Sequence, residues 1–179
     1  LENYFLDARV LAKAFVSMEP EASWLRNPTA IESKLREFAA SSVPYAVALN
    51  VNAMLRERIG NVSIMPKGLD GSQQIEELID LIKRRVLAEG ERVTAGLNLE
   101  EIESVTRAEY ERLRFDVEGA GNIWRIDLPG RRILNKFAAS ANIQPGRLKQ
   151  LYLGAAEGSE VFGDIVSIFE GFRAQRPTA

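Results

Sequence analysis

The 179-residue chain contains no cysteine and no histidine. Without a thiol there is no disulfide and no thiolate nucleophile, and without either residue there is no ordinary zinc site and no imidazole acid or base. Aromatic residues make up only 8% of the chain, and no apolar run approaches the roughly 20 residues a bilayer-spanning helix needs. The N-terminus lacks the basic start and small-residue cleavage site of a signal peptide. A basic excess is missing too: 23 Lys and Arg stand against 25 Asp and Glu, so nothing protein-wide draws the chain to phosphate. These absences predict a soluble protein that does not span a membrane. A first residue of Leu rather than Met suggests a fragment, a processed product or a non-methionine start.

What is present is a helical vocabulary. With 46% hydrophobic residues the chain can bury a respectable core without staples. Tyr4, Ala8, Leu11, Ala12 and Phe15 share one face of a first helix over about Asn3 to Met18. Thr29 and Glu32 form a capping-box pair ahead of Ile31, Leu35 and Phe38. Ser41, Ser42 and Pro44 end that helix, and Tyr45 to Arg58 reads as a third, closed by Gly60. Val62 and Ile64 alternate before Pro66, Gly68 and Gly71, which is loop or edge-strand chemistry.

The clearest amphipathic helix follows. Ile75, Leu78, Ile79, Ile82 and Val86 lie on its apolar face, and an acidic start and basic end suit the helix dipole. Asn98 with Glu101 opens another helix that turns Leu99, Ile102 and Leu113 inward. Gly119, Gly121 and the run Ile123 to Ile126 predict a hairpin tip or short strand. A last helix over Ser159 to Arg173 carries Phe162, Ile165, Val166, Phe169 and Phe172 as an aromatic stripe. The expected fold is an all-α bundle of about six to eight helices with one small β-hairpin. The glycine-bearing stretch divides it into a helical region over 1–118 and a C-terminal module over 119–179, or leaves it a single domain.

Catalytic and ligand-binding motifs mostly fail. There is no Walker loop, and Gly119 and Gly121 lack the third glycine and following helix of a dinucleotide site. Ser41 and Ser42 have no lysine at a suggestive spacing. Glu100, Glu101 and Glu103, or Asp116 and Glu118, are acid pairs that could hold a metal, but on helices and near turns such pairs are usually surface charge. A carboxylate-dependent metalloenzyme therefore ranks third among the readings, and no cofactor, metal or small-molecule ligand is expected.

Leu134 to Leu153 holds the most specific pattern. Phe137 and Ala138 fall on a first helix, Ala141 and Asn142 at a turn, Pro145 in the first turn of a second helix that ends at Gly154, and Leu148 and Leu151 on its inner face. Ala138 suits a close helix crossing, and Asn tolerates the left-handed backbone such a turn needs. This segment resembles the helix-turn-helix of lambda-repressor-like proteins. The resemblance implies a DNA-binding regulator in which Gln144, Lys149 and Gln150 meet base edges while Arg131, Arg132, Lys136 and Arg147 reach phosphates.

A second run, Val43 to Ala53 with Pro44, Tyr45, Ala46, Ala48 and Asn52, preceded by Leu35 and Phe38, resembles an apolar helix near the start of some phage minor tail and tail-completion proteins. That resemblance implies a structural role in assembly and places the chain in the cytoplasm or a virion. The preferred expectation is a non-enzymatic oligomeric protein that works by self-association or with a protein partner. Phe15, Phe162, Phe169 and Phe172 are its interface candidates.

Overall fold

A computed structural model describes residues 2–62 and 75–156, together with residue 163. The described residues are all-α. Two 3-10 turns, Glu2–Leu6 and Trp24–Arg26, accompany α1 (Ala8–Phe15), α2 (Pro28–Ala40), α3 (Val43–Ile59), α4 (Ile75–Gly96), α5 (Leu99–Glu118), α6 (Trp124–Asp127), α7 (Gly130–Ser140) and α8 (Pro145–Ala155). Among the described residues there is no strand. Trp124–Asp127 forms a helical turn where the sequence predicted a hairpin tip or short strand at Ile123 to Ile126. Four residues are too few for periodicity to separate the two states. The stretch following Val62 and the helix expected over Ser159 to Arg173 lie outside the described residues, apart from Gly163.

Caps set the helix starts. Asp7 interrupts the expected helix over Asn3 to Met18: its side chain accepts from the Arg9 and Val10 amides, so the chain enters α1 at Ala8. The capping box at Thr29 and Glu32 does not form. Asn27 is the cap instead, accepting from Thr29 N and Ala30 N, with Pro28 in the first turn. Glu32 is thereby released to meet Arg36 and Arg125.

The described chain falls into two compact units, residues 2–43 with 113–156 and residues 44–62 with 75–112. The stretch from Gly119 to Gly130 lies inside the first. In that unit α1 packs on α2 and α8, and α7 packs on α2, α8 and the N-terminal turn. Leu11, Leu35, Trp124, Ile133, Phe137 and Leu148 are buried between them. Trp24 meets the Phe137 ring edge-on at 5.8 Å, and Phe5 meets Tyr152 at 5.2 Å. The Tyr152 hydroxyl donates to Tyr4 O at 2.7 Å, and burial pushes its pKa upward. Asn3 crosses the start of α7 so closely that a Cβ on Gly130 would stand 1.8 Å from Asn3 Oδ1.

The second unit is built differently. Among its described residues only Ala46, Val47 and Glu89 are buried. Side-chain bonds link its helices: Asn50 donates to Glu109 at 2.7 Å, Arg58 to Glu101 at 2.6 Å, and Arg92 to Ile59 O. Gly60, at φ 60°, ends α3 with its amide donating to Arg56 O. Asn98 caps α5 by accepting from Glu100 N and Glu101 N. Leu99, expected to point inward, is 79% exposed.

Candidate functional site

The α7–α8 connection is a Schellman turn. Ile143 N donates to Ala138 O at 3.0 Å, Asn142 N donates to Ala139 O at 3.1 Å, and Asn142 takes φ 51°. Among the described residues it is the single non-glycine with a positive φ. Phe137, Ala138 and Leu148 are fully buried around the turn. α8 runs one residue past Gly154, to Ala155.

The cationic and amide side chains placed on this segment differ in exposure. Arg131, Arg132, Gln144, Arg147 and Gln150 are exposed. Lys136 and Lys149 are half-buried and engaged within the unit. Lys136 Nζ donates to Ser41 Oγ at 2.6 Å, while Lys149 Nζ donates to Glu2 Oε1 at 3.0 Å and stands 5.5 Å from the Phe5 ring centre. The Lys149 hydrogen bond also holds the Glu2 carboxyl below its ordinary pKa. Moving Lys149 to a base edge would therefore break a contact that ties the N-terminal turn to α8.

An open cleft of about 570 Å³ in the same unit is lined by Asp7, Arg9, Glu32, Arg36 and Arg125, among others. Its charges answer one another. Arg125 donates to Glu32 at 2.5 Å and lies 3.9 Å from Asp7, while Arg36 donates to Glu32 at 3.0 Å. Arg36 also donates to the carbonyl oxygens of Val117 and Gly119, both at 2.7 Å, and of Gly121 at 2.9 Å. Those three carbonyls lie at and beyond the end of α5, where helical backbone has no partner of its own, so Arg36 serves as a brace. Among the described residues no three acidic side chains converge as a metal site would require.

The third feature lies in the second unit. The sequence placed Ile75, Leu78, Ile79, Ile82 and Val86 on the apolar face of α4, the face expected to turn toward the core. Ile79 is instead 42% exposed, Ile82 38% and Val86 45%. The covered face is rotated toward Leu78, Leu81, Arg85 and Glu89. Glu89 can be buried there because Arg85 and Arg92 both pair with it, at 3.5 and 2.8 Å. Periodicity therefore located an apolar stripe without saying what covers it. Leu87, 68% exposed, adds to the open apolar surface of α4. The sequence reading missed it, although an apolar residue on the polar side of the helix was a usable signal.

Of the residues nominated for an interface, Phe15 is 2% exposed and spends its ring in the core of the first unit. It is unavailable to a partner in this fold. Phe162, Phe169 and Phe172 lie outside the described residues. No single helix among the described residues is long and apolar enough to cross a membrane. Compared with family models, curated proteins and solved structures, the chain matches none.

Proposed function

We propose that this chain is a non-enzymatic interaction protein, of the kind that builds assemblies, and that its second unit carries the contact surface. One observation carries this reading: among its described residues that unit buries only Ala46, Val47 and Glu89, while Ile79, Ile82, Val86, Leu87, Tyr45 and Leu49 are each more than a third exposed. Helices gain most of their stability from tertiary burial of an apolar face, and a unit that leaves its face open gains that stability from a partner. A phage-type assembly role agrees with this picture through the resemblance of the α3 segment.

A second reading, DNA binding through α7 and α8, draws support from the left-handed Asn142 and from exposed Gln144, Arg147 and Gln150. It ranks lower because Lys136 and Lys149 are already engaged and the net charge is −2. Light-scattering mass with and without a random-sequence duplex at low salt separates the two. The interaction reading expects a mass indifferent to duplex. A shift onto duplex that reverses as salt rises, and that Arg131→Glu with Arg147→Glu abolishes, would overturn it.

A further inference from the structure

We infer that the cleft in the first unit is a binding site for a small molecule bearing a phosphate group, gripped between Arg9 and Arg125. This goes beyond the interaction reading, which concerns the other unit. The ion pairs that line the cleft leave donors over. Arg36 is fully engaged: its Nε, Nη1 and Nη2 all donate, to Glu32 and to three backbone carbonyls. Arg125 is not. Its Nη2 donates to Glu32, but its Nη1 stands 3.9 Å from Asp7 Oδ2, beyond hydrogen-bonding reach, and its Nε is buried with no partner among the described residues. Arg9, whose side chain is 81% exposed, meets the same Asp7 oxygen through Nη2 at 3.5 Å, the long limit of a hydrogen bond. Two guanidiniums from separate elements thus converge on one carboxylate oxygen, and neither closes on it at ordinary length.

Each guanidinium presents its donors as a planar fork matched to acceptors with two oxygens. A phosphate can offer one pair of oxygens to Arg9 and another to Arg125, which a single carboxylate oxygen cannot. Charge agrees. Arg9, Arg36 and Arg125 exceed Asp7 and Glu32 by one positive charge. Both Glu32 oxygens are held by Arg36 and Arg125, and Asp7 turns Oδ1 to the Arg9 and Val10 amides. The cleft also opens beside the first residues of α1 and α2, Ala8 and Pro28 among them, where the helix dipole favours an anion. Thr29 and Asn122 line it with exposed side chains that make no hydrogen bond among the described residues. Its volume of about 570 Å³ falls within the roughly 300–1,000 Å³ of small-molecule sites, so the molecule that carries the phosphate has room beside it.

The test is thermal unfolding of the full chain followed by tryptophan fluorescence, which reports the first unit, as sodium phosphate replaces sodium chloride at constant ionic strength. Phosphate is expected to raise the transition temperature to a plateau, and acetate to raise it far less. Arg9→Ala, at an exposed position, is expected to weaken the apparent phosphate affinity roughly tenfold, and Arg9→Lys to restore part of it. Thr29→Val, on a different helix, is expected to weaken it by a smaller factor.

Phosphate that stabilises no more than chloride would overturn the inference. So would a phosphate plateau that Arg9→Ala and Thr29→Val both leave unchanged, since the ion would then sit elsewhere. Equal stabilisation by acetate would make the ligand group a carboxylate and refute the phosphate assignment. Displacement of phosphate by a random-sequence duplex at low salt would give the site to nucleic acid and refute the small-molecule assignment.

Discussion

Arg36 offers the sharpest test of how the first unit is held. Its guanidinium donates to three backbone carbonyls, those of Val117, Gly119 and Gly121, and to the Glu32 carboxylate, and it lies 5.8 Å from the Trp124 ring centre. A hydrogen bond from a charged donor contributes about 1.5–3 kcal/mol net, but simple addition over three overshoots. The side chain is 24% exposed, so water reaches some of the carbonyls once the guanidinium is gone. Arg36→Ala is therefore expected to cost about 3 kcal/mol.

Arg36→Lys should recover less than half of that loss, because one ammonium cannot span three carbonyls in different directions. The assay is urea unfolding followed by tryptophan fluorescence. Both tryptophans, Trp24 and Trp124, belong to the first unit, so the signal reports that unit alone. A loss below about 0.5 kcal/mol for Arg36→Ala would refute the claim that this residue braces the end of α5.

Three further outcomes follow from the same packing. Gly130→Ala should destabilise the first unit by about 1–3 kcal/mol, because its Cβ collides with Asn3; Asn3→Ala should relieve part of that cost in a double-mutant cycle. Asn142→Gly should be close to neutral in the same urea assay, whereas Asn142→Val should cost about 1–2 kcal/mol by forcing a β-branched residue to positive φ. Burial opposes ionisation of Asp7, but the hydrogen bonds from Arg9 and Val10 outweigh it and hold its pKa below the ordinary value. A carboxyl lowered on folding contributes stability that is present above its unfolded pKa, about 3.9, and lost as pH falls through its folded value. Asp7→Asn keeps the cap and should flatten the acid limb of stability against pH below about 4.

The helices were legible where local chemistry acts alone. Gly60, Asn98 and Asn142 each mark an end or a start that the sequence announces, because the left-handed region admits few residue types and an Asn cap needs only the next turn. Asp7 and Asn27 escaped because a hydrophobic period ran across the first and a capping-box pair competed beside the second. Arg36 could not be read as a brace, since its carbonyl partners are more than 80 residues away in sequence. The α4 stripe shows a different limit. Spacing identifies apolar residues that want cover, yet the face turned inward is the one where Arg85 and Arg92 neutralise Glu89, which no period encodes.

The central claim is that the second unit is completed by a partner when the chain assembles. It is tested most directly by thermal unfolding of the full chain at two concentrations a hundredfold apart, with helicity followed by circular dichroism and the first unit followed by tryptophan fluorescence. The account predicts a helical transition that moves to higher temperature as concentration rises, while the fluorescence transition stays in place. Two transitions that both ignore concentration would contradict it.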